Sequence, residues 1–200
     1  MLNIFKPILA GATLPDRLIA SLGAAIAIAL TIVVCAGLPL SAVDLPIIVA
    51  PLGASAVLVF AVPSSPLAQP WAVVCGNTIS TLIGVWAFNL FPDITLAAGV
   101  AVGGAILVMS LLRCLHPPGG AAALTAVIGS QGIHAAGYSF AFAPVAINSI
   151  ALVSIAMFFH RMTTHSYPHL PALSPEPRVP RGFHSSDIDA ALEDMHESFD

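Results

Sequence analysis

The residues able to do chemistry are few, and one stretch gathers most of them. Arg113-Cys114-Leu115-His116-Pro117-Pro118-Gly119-Gly120 places a cation, an imidazole, two prolines and two glycines between long apolar runs. Pro118 is excluded from a helix interior but suits a helix's first positions. An Ala-rich run follows it. The pattern predicts a half-helix whose start lies in or at the membrane, with its first N–H groups free. Gly119 and Gly120 would let a ligand approach the backbone. A helix start carries partial positive charge and suits an anion. The competing reading of the same residues is an ordinary turn between helices.

A second stretch has the same grammar. Pro51-Leu52-Gly53-Ala54-Ser55-Ala56 aligns with Pro118-Gly119-Gly120-Ala121-Ala122-Ala123. Downstream, Asn77-Thr78-Ile79-Ser80 aligns with Asn148-Ser149-Ile150-Ala151, with Pro-to-Asn gaps of 26 and 30 residues. Each half therefore reads as helix, Pro-broken segment, then helix carrying an Asn. With three segments per half, the second half is inverted relative to the first. Inverted repeats with discontinuous helices meeting near the midplane are typical of transporters and channels. Asn77 and Asn148 are amides in apolar helices, and an unpaired buried amide costs a few kcal/mol. They either glue helices together or line a pathway.

The composition fixes the solvent. Hydrophobic residues make up 58% of the 200, charged residues 8%, and the mean hydropathy is +0.94. Soluble domains carry roughly 25% charged residues. The chain is therefore expected to be all-α, a polytopic membrane helix bundle. The net charge of −4 comes mostly from the C-terminal end, and nothing resembles a basic nucleic-acid surface.

Six apolar segments are expected, at 18–38, 45–62, 71–91, 94–112, 117–131 and 138–159, in two inverted three-segment repeats with two Pro-broken half-helices. The first is too long for a secretory signal core. Residues 1–16 form a leader, 17–160 the membrane domain, and 161–200 a Pro-rich then acidic tail with a capped helix start at Ser186. Residues 131–137 are expected to be a loop. If all six segments cross from a cytoplasmic N-terminus, every Lys and Arg falls on the cytoplasmic side and Asp44 and Asp93 fall outside. If the broken segments re-enter instead, Arg113 moves outside. The positive-inside rule favours six crossings.

Gly76, Ser80 and Gly84, and likewise Gly99 and Gly103, recur four residues apart and predict close helix contacts. Cys35, Cys75 and Cys114 lack any CxxC spacing and are expected to be small, buried and reduced. His160, His165 and His169 do not share one helical face, so no metal site is expected.

Three motifs together carry a family resemblance. Leu115-His116-Pro117-Pro118-Gly119-Gly120-Ala121, Ala50 to Ala56, and Val62-Pro63-Ser64-Ser65-Pro66-Leu67-Ala68-Gln69-Pro70 resemble the HPP family of integral membrane proteins, over roughly residues 15–160. The resemblance implies a multi-pass protein of the bacterial inner membrane. Plastid and cyanobacterial members of that family are associated with nitrite transport. It also implies that many bacterial members continue into nucleotide-binding CBS domains, whose preceding linker the tail here resembles. The family is usually described with four spanning helices, against the six segments expected here.

The expected function is thus a transporter or channel for a small inorganic anion, nitrite first. Its substrate-binding residues would be Pro51, Gly53, Ser55, Asn77, Arg113, His116, Pro118, Gly119, Gly120 and Asn148. The half-helix starts would replace the anion's hydration, His116 would attract it or carry a proton, and Arg113 would concentrate it at the cytoplasmic mouth. The alternative is a membrane anchor or sensor for a cytoplasmic regulatory domain or partner. No enzyme activity and no cofactor are expected, because the spans lack a paired acid or a nucleophile–base set. Expected partners are the anion, bilayer lipid and, as a further option, a second copy of the chain.

Overall fold

The computed structural model describes residues 13–36, 48–163 and 166–169. The acidic tail and most of the leader, with their predicted features, lie outside these. Seven helices make up the described bundle: α1 (Leu14–Ala36), α2 (Pro51–Ala61), α3 (Pro70–Leu90), α4 (Ile94–Leu111), α5 (Pro117–Ile128), α6 (Gln131–Ala136) and α7 (Ile147–Arg161). Among the described residues, four helical stretches are long and apolar enough to cross a membrane: Leu14–Ala36, Pro70–Leu90, Ile94–Leu111 and Ala141–Arg161. The last includes an irregular turn at Ala143 and Pro144.

The two Pro-broken segments form short helices, as expected. At 1.5 Å per residue, the 11 residues of α2 and 12 of α5 span about 16 and 18 Å, against a ~30 Å hydrocarbon core. Helices α2, α3 and α5 each begin on a proline, where the missing N–H is no loss. Asp93 caps α4, accepting from Leu96 N at 2.8 Å. Thr13 and Asp16 bond each other across the first turn of α1. That helix starts inside the expected leader.

One expectation is corrected. Residues 131–137 are not a loop: Gln131–Ala136 is one and a half turns of helix. Ser130 Oγ accepts from Ile133 N, and Gly137 ends the helix at φ +53°. Both signals are ordinary cap residues.

Buried apolar side chains fall into two groups. Ala27, Leu52, Val59, Phe60, Leu152 and Ala156 join α1, α2 and α7, while Ala87, Ala101, Ala105, Met109, Ala123 and Val127 join α3, α4 and α5. Gly76 and Gly84 make the close contacts their spacing predicts: Gly76 meets the Cys114 carbonyl and the His116 Cβ, and Gly84 meets the Ala123 backbone. Gly99 and Gly103 do not, because nothing stands within 4 Å of either Cβ position. Their spacing is identical, but their face of α4 points out of the bundle.

Helix α4 ends in a Schellman arrangement, with Cys114 N on the Met109 carbonyl at 2.9 Å and Arg113 N on Ser110 O at 3.2 Å. The residue at the left-handed position, normally Gly, is Arg113, at φ +53°. An L side chain there costs roughly 1–2 kcal/mol. Arg113→Gly is accordingly expected to stabilise the purified protein by about 1 kcal/mol. Thermal unfolding in detergent checks this, and a lower midpoint would contradict the backbone described.

The three described arginines share one end of the bundle. Arg17 and Thr163 line one recess, the Tyr167 hydroxyl donates to Ala68 O at 2.9 Å, and Trp71 Nε1 donates to Leu112 O at 3.3 Å. These contacts bring Arg17, Arg161 and Arg113 to the same end, with Asp93 at the far end of α3 and α4.

Candidate functional site

The tips of α2 and α5 meet inside the bundle. His116 is the residue preceding Pro117 at the start of α5, and Ser55 lies one turn into α2. Ser55 Oγ and His116 Nε2 are 2.8 Å apart, and both residues are wholly buried. His116 Nδ1 lies 2.8 Å from the Leu67 carbonyl. A carbonyl only accepts, so Nδ1 carries the proton of the neutral ring, and Nε2 accepts from the Ser55 hydroxyl. Ser55 Oγ in turn accepts from Asn77 Nδ2 at 3.2 Å, and the same amide donates to Ser149 Oγ at 3.2 Å. One polar chain therefore runs from Leu67 through His116, Ser55 and Asn77 to Ser149, linking the loop before α3, then α5, α2, α3 and α7.

The carbonyl that anchors this chain is held by its own loop. Gln69 Nε2 donates to Pro63 O and Ser65 O, both at 2.9 Å, and Leu67 N donates to Ser65 Oγ at 3.2 Å. Burial raises the Tyr167 phenol above its ordinary pKa, so its hydroxyl stays a donor to the same loop.

Asn148 serves the other half. Its Oδ1 accepts from Val49 N at 3.1 Å, just before α2, and its Nδ2 donates to Cys35 Sγ at 3.0 Å. The two aligned asparagines thus both bond at the start of one half-helix, α2. Asn77 Oδ1 and Ser80 Oγ are buried without a hydrogen-bond partner among the described residues.

The predicted site residues separate into three groups. Ser55, Asn77 and His116 are brought together, with Pro51 one turn away, its carbonyl 3.3 Å from Ser55 Oγ. Pro118 and Gly119 are buried at the tip of α5. Gly119 faces α3: a Cβ there would stand 2.7 Å from Ser80 Oγ and 3.0 Å from Gly76 O. The glycine serves helix packing. Gly53, Gly120 and Arg113 are not at the junction. Gly53 is exposed with nothing within 4 Å, Gly120 is nearest Val102 at 3.9 Å, and Arg113 is exposed at the bundle end.

The tips offer few free amides. Pro117 and Pro118 have none, and Gly119 N already donates to His116 O at 2.8 Å. At α2, Pro51 has none, Leu52 N donates to Val49 O and Gly53 N to Ala50 O, each at 3.0 Å. A recess of about 940 Å³ lies elsewhere, between α1, α2 and α7. Its walls include Arg17, Ala24, Phe60 and Phe159, and none of the predicted site residues.

The model for the HPP transmembrane region matches residues 10–168 of this chain, covering both half-helices and the triplet His116-Pro117-Pro118. The chain belongs to the HPP family. A transmembrane protein of Dictyostelium discoideum is 32% identical over 127 residues, 61% of this chain and 44% of the relative. A second from the same organism is 37% identical over 108 residues, 52% of this chain and 34% of the relative. This HPP chain spans less than half the length of the curated relatives it matches. No solved structure matches it.

In this HPP protein the triplet has a plain structural logic. The two prolines start α5, and the histidine before them, in extended backbone, turns its ring back onto α2 and the Leu67 loop. Sequence reasoning missed Ser149, Cys35 and the Leu67 carbonyl. Ser149 adjoins Asn148 and was open to notice; a backbone carbonyl carries no sequence signal. His160 Nε2 bonds Val59 O at 3.0 Å and its ring packs on Phe60, while His165 lies outside the described residues.

Proposed function

We propose that this HPP protein forms the membrane-embedded part of a transporter or channel for a small inorganic anion, nitrite first, with its pathway between the tips of α2 and α5. The observation that carries this is the 2.8 Å contact between Ser55 and His116. It joins the starts of two helices too short to cross, inside a bundle whose buried side chains are mostly apolar. Polar groups at such a place are expensive, and in membrane proteins they mark pathways.

The contacts also support the inverted repeat. In this reading α1, α2 and α3 form one half and α4, α5 and α7 the other. Helix α3 packs on α4 and α5, while α7 packs on α1 and α2, so each half gives its last helix to the other. The described arginines at one end support six crossings with both termini cytoplasmic, and we propose a bacterial inner membrane from the family resemblance alone.

The junction is sealed as it stands, so passage requires Ser55 and His116 to part. The junction also holds no cation. A bare anion there has no counter-charge, and burying one costs many kcal/mol. His116 meets that need by taking a proton at Nε2 as the anion arrives. Nitrite therefore crosses with a proton, the N–H bond formed at Nε2 breaks again when both leave, and the reading assigns no enzyme step.

Reconstitution tests this. Nitrite is expected to enter protein-containing vesicles faster than protein-free ones and to acidify the lumen, with nitrate, formate and chloride compared alongside. His116→Ala is expected to return nitrite entry to the protein-free rate. A wild-type protein that moves none of the four anions overturns the transport reading. The amides already spent at both tips favour a second reading, a membrane anchor or sensor for a cytoplasmic regulatory domain, of the CBS kind, or another partner. That reading would then stand.

A further inference from the structure

Cys75 and Cys114 are far apart in sequence and adjacent in space. Cys75 is on the second turn of α3, and Cys114 is the third residue past the end of α4, where the Schellman turn holds its N–H on Met109. The main chains touch beside them: a Cβ at Gly76 would stand 2.9 Å from the Cys114 carbonyl oxygen. Cys75 packs against the apolar cluster that contains Cys114. Both thiols are free. Their exposures differ: Cys114 is wholly buried, and Cys75 is partly open.

We propose that Cys75 and Cys114 are an oxidisable dithiol, the site of a reversible internal disulfide formed by hydroperoxides. The exposure difference assigns the order. The hydroperoxide meets Cys75 first: the sulfur attacks the outer oxygen, the O–O bond breaks, and Cys75 becomes a sulfenic acid while an alcohol or water leaves. The Cys114 sulfur then attacks the Cys75 sulfur, the S–O bond breaks, and water leaves with the second thiol's proton. Two thiols lose two electrons, and the peroxide takes them. The burial that shields Cys114 from the first oxidant also holds it within reach of the sulfenic acid.

The bond would have a structural consequence. Cys114 is two residues from His116, and Gly76 packs on both. A disulfide therefore pins the link between α4 and α5 to α3 at the point where the His116 ring is set. The site is independent of what the protein transports.

The full chain in detergent, treated with hydrogen peroxide and then alkylated, tests the proposal by peptide mass mapping without reductant. The expected product is a linked pair of peptides containing Cys75 and Cys114, two hydrogens lighter than their sum and separated by dithiothreitol, with Cys35 still alkylated. Cys75→Ser is expected to leave Cys114 unoxidised, and Cys114→Ser to leave Cys75 as sulfenic acid, trapped by dimedone. Either of two results overturns it: a wild-type Cys75 that stops at sulfenic or sulfinic acid with no link, or a link between two chains. Helical circular dichroism of each variant separates a failure to fold from a failure to link.

Discussion

Gly84→Ala is expected to destabilise the bundle by about 2–3 kcal/mol, the upper part of the range for overpacking a tight site. A Cβ there overlaps the Ala123 carbonyl oxygen and stands 2.9 Å from that residue's carbonyl carbon and Cα. All three are backbone atoms of α5, so no side chain can swing aside. Relief requires α5 to move off α3 as a body, and His116 at its tip would move with it. Gly99→Ala and Gly103→Ala are the internal controls. Each has open space at its Cβ and gains up to about 1 kcal/mol of helix propensity. Thermal unfolding in detergent, followed by helical circular dichroism, should lower the midpoint for the first and leave or raise it for the others. Equal midpoints for all three would mean that α3 and α5 are not packed as described.

His116→Ala is expected to cost about 3–5 kcal/mol. Two 2.8 Å hydrogen bonds disappear, leaving the buried Ser55 hydroxyl and the half-buried Leu67 carbonyl without their partner. Each unmet group costs roughly 1–3 kcal/mol, and the vacated ring volume adds a cavity term. Ser55 has a fallback in the Pro51 carbonyl at 3.3 Å, which holds the total toward the lower end. His116→Gln keeps a donor and an acceptor on a shorter, more flexible chain, so a smaller loss is expected. The same unfolding measurement checks both. Two variants as stable as the parent would show that the ring does not bridge α2 and α5.

How much of this was legible in advance varies from residue to residue. Pro51 and Pro117 announce the half-helices because proline acts locally, through its own ring. Gly76 and Gly84 announce close packing, but Gly99 and Gly103 send the same message and face outward. Spacing specifies a helix face, and only the other helices decide which face is inside. Gly53 and Gly120 align in sequence and neither reaches the junction, while Gly119, aligned with Leu52, is wedged against α3. The shortage of tip amides was legible, since Pro117 and Pro118 remove two donors on sight. The direction of the hydrogen-bond chain was not, because it is fixed by the Leu67 carbonyl, forty-nine positions away in sequence. The expected loop at 131–137 was a misjudged boundary, with Ser130 and Gly137 both visible as caps.

The loop that orients the imidazole also holds Tyr167 and His169. Tyr167 donates to Ala68 and His169 N donates to Gln69 Oε1 at 2.9 Å, the residues on either side of which set the Leu67 carbonyl and the start of α3. Residues 166–169 are thereby tied to the loop that carries the Leu67 carbonyl, a few bonds from His116. A pull on residues 166–169 would reach His116 through that loop, without travelling the length of any helix.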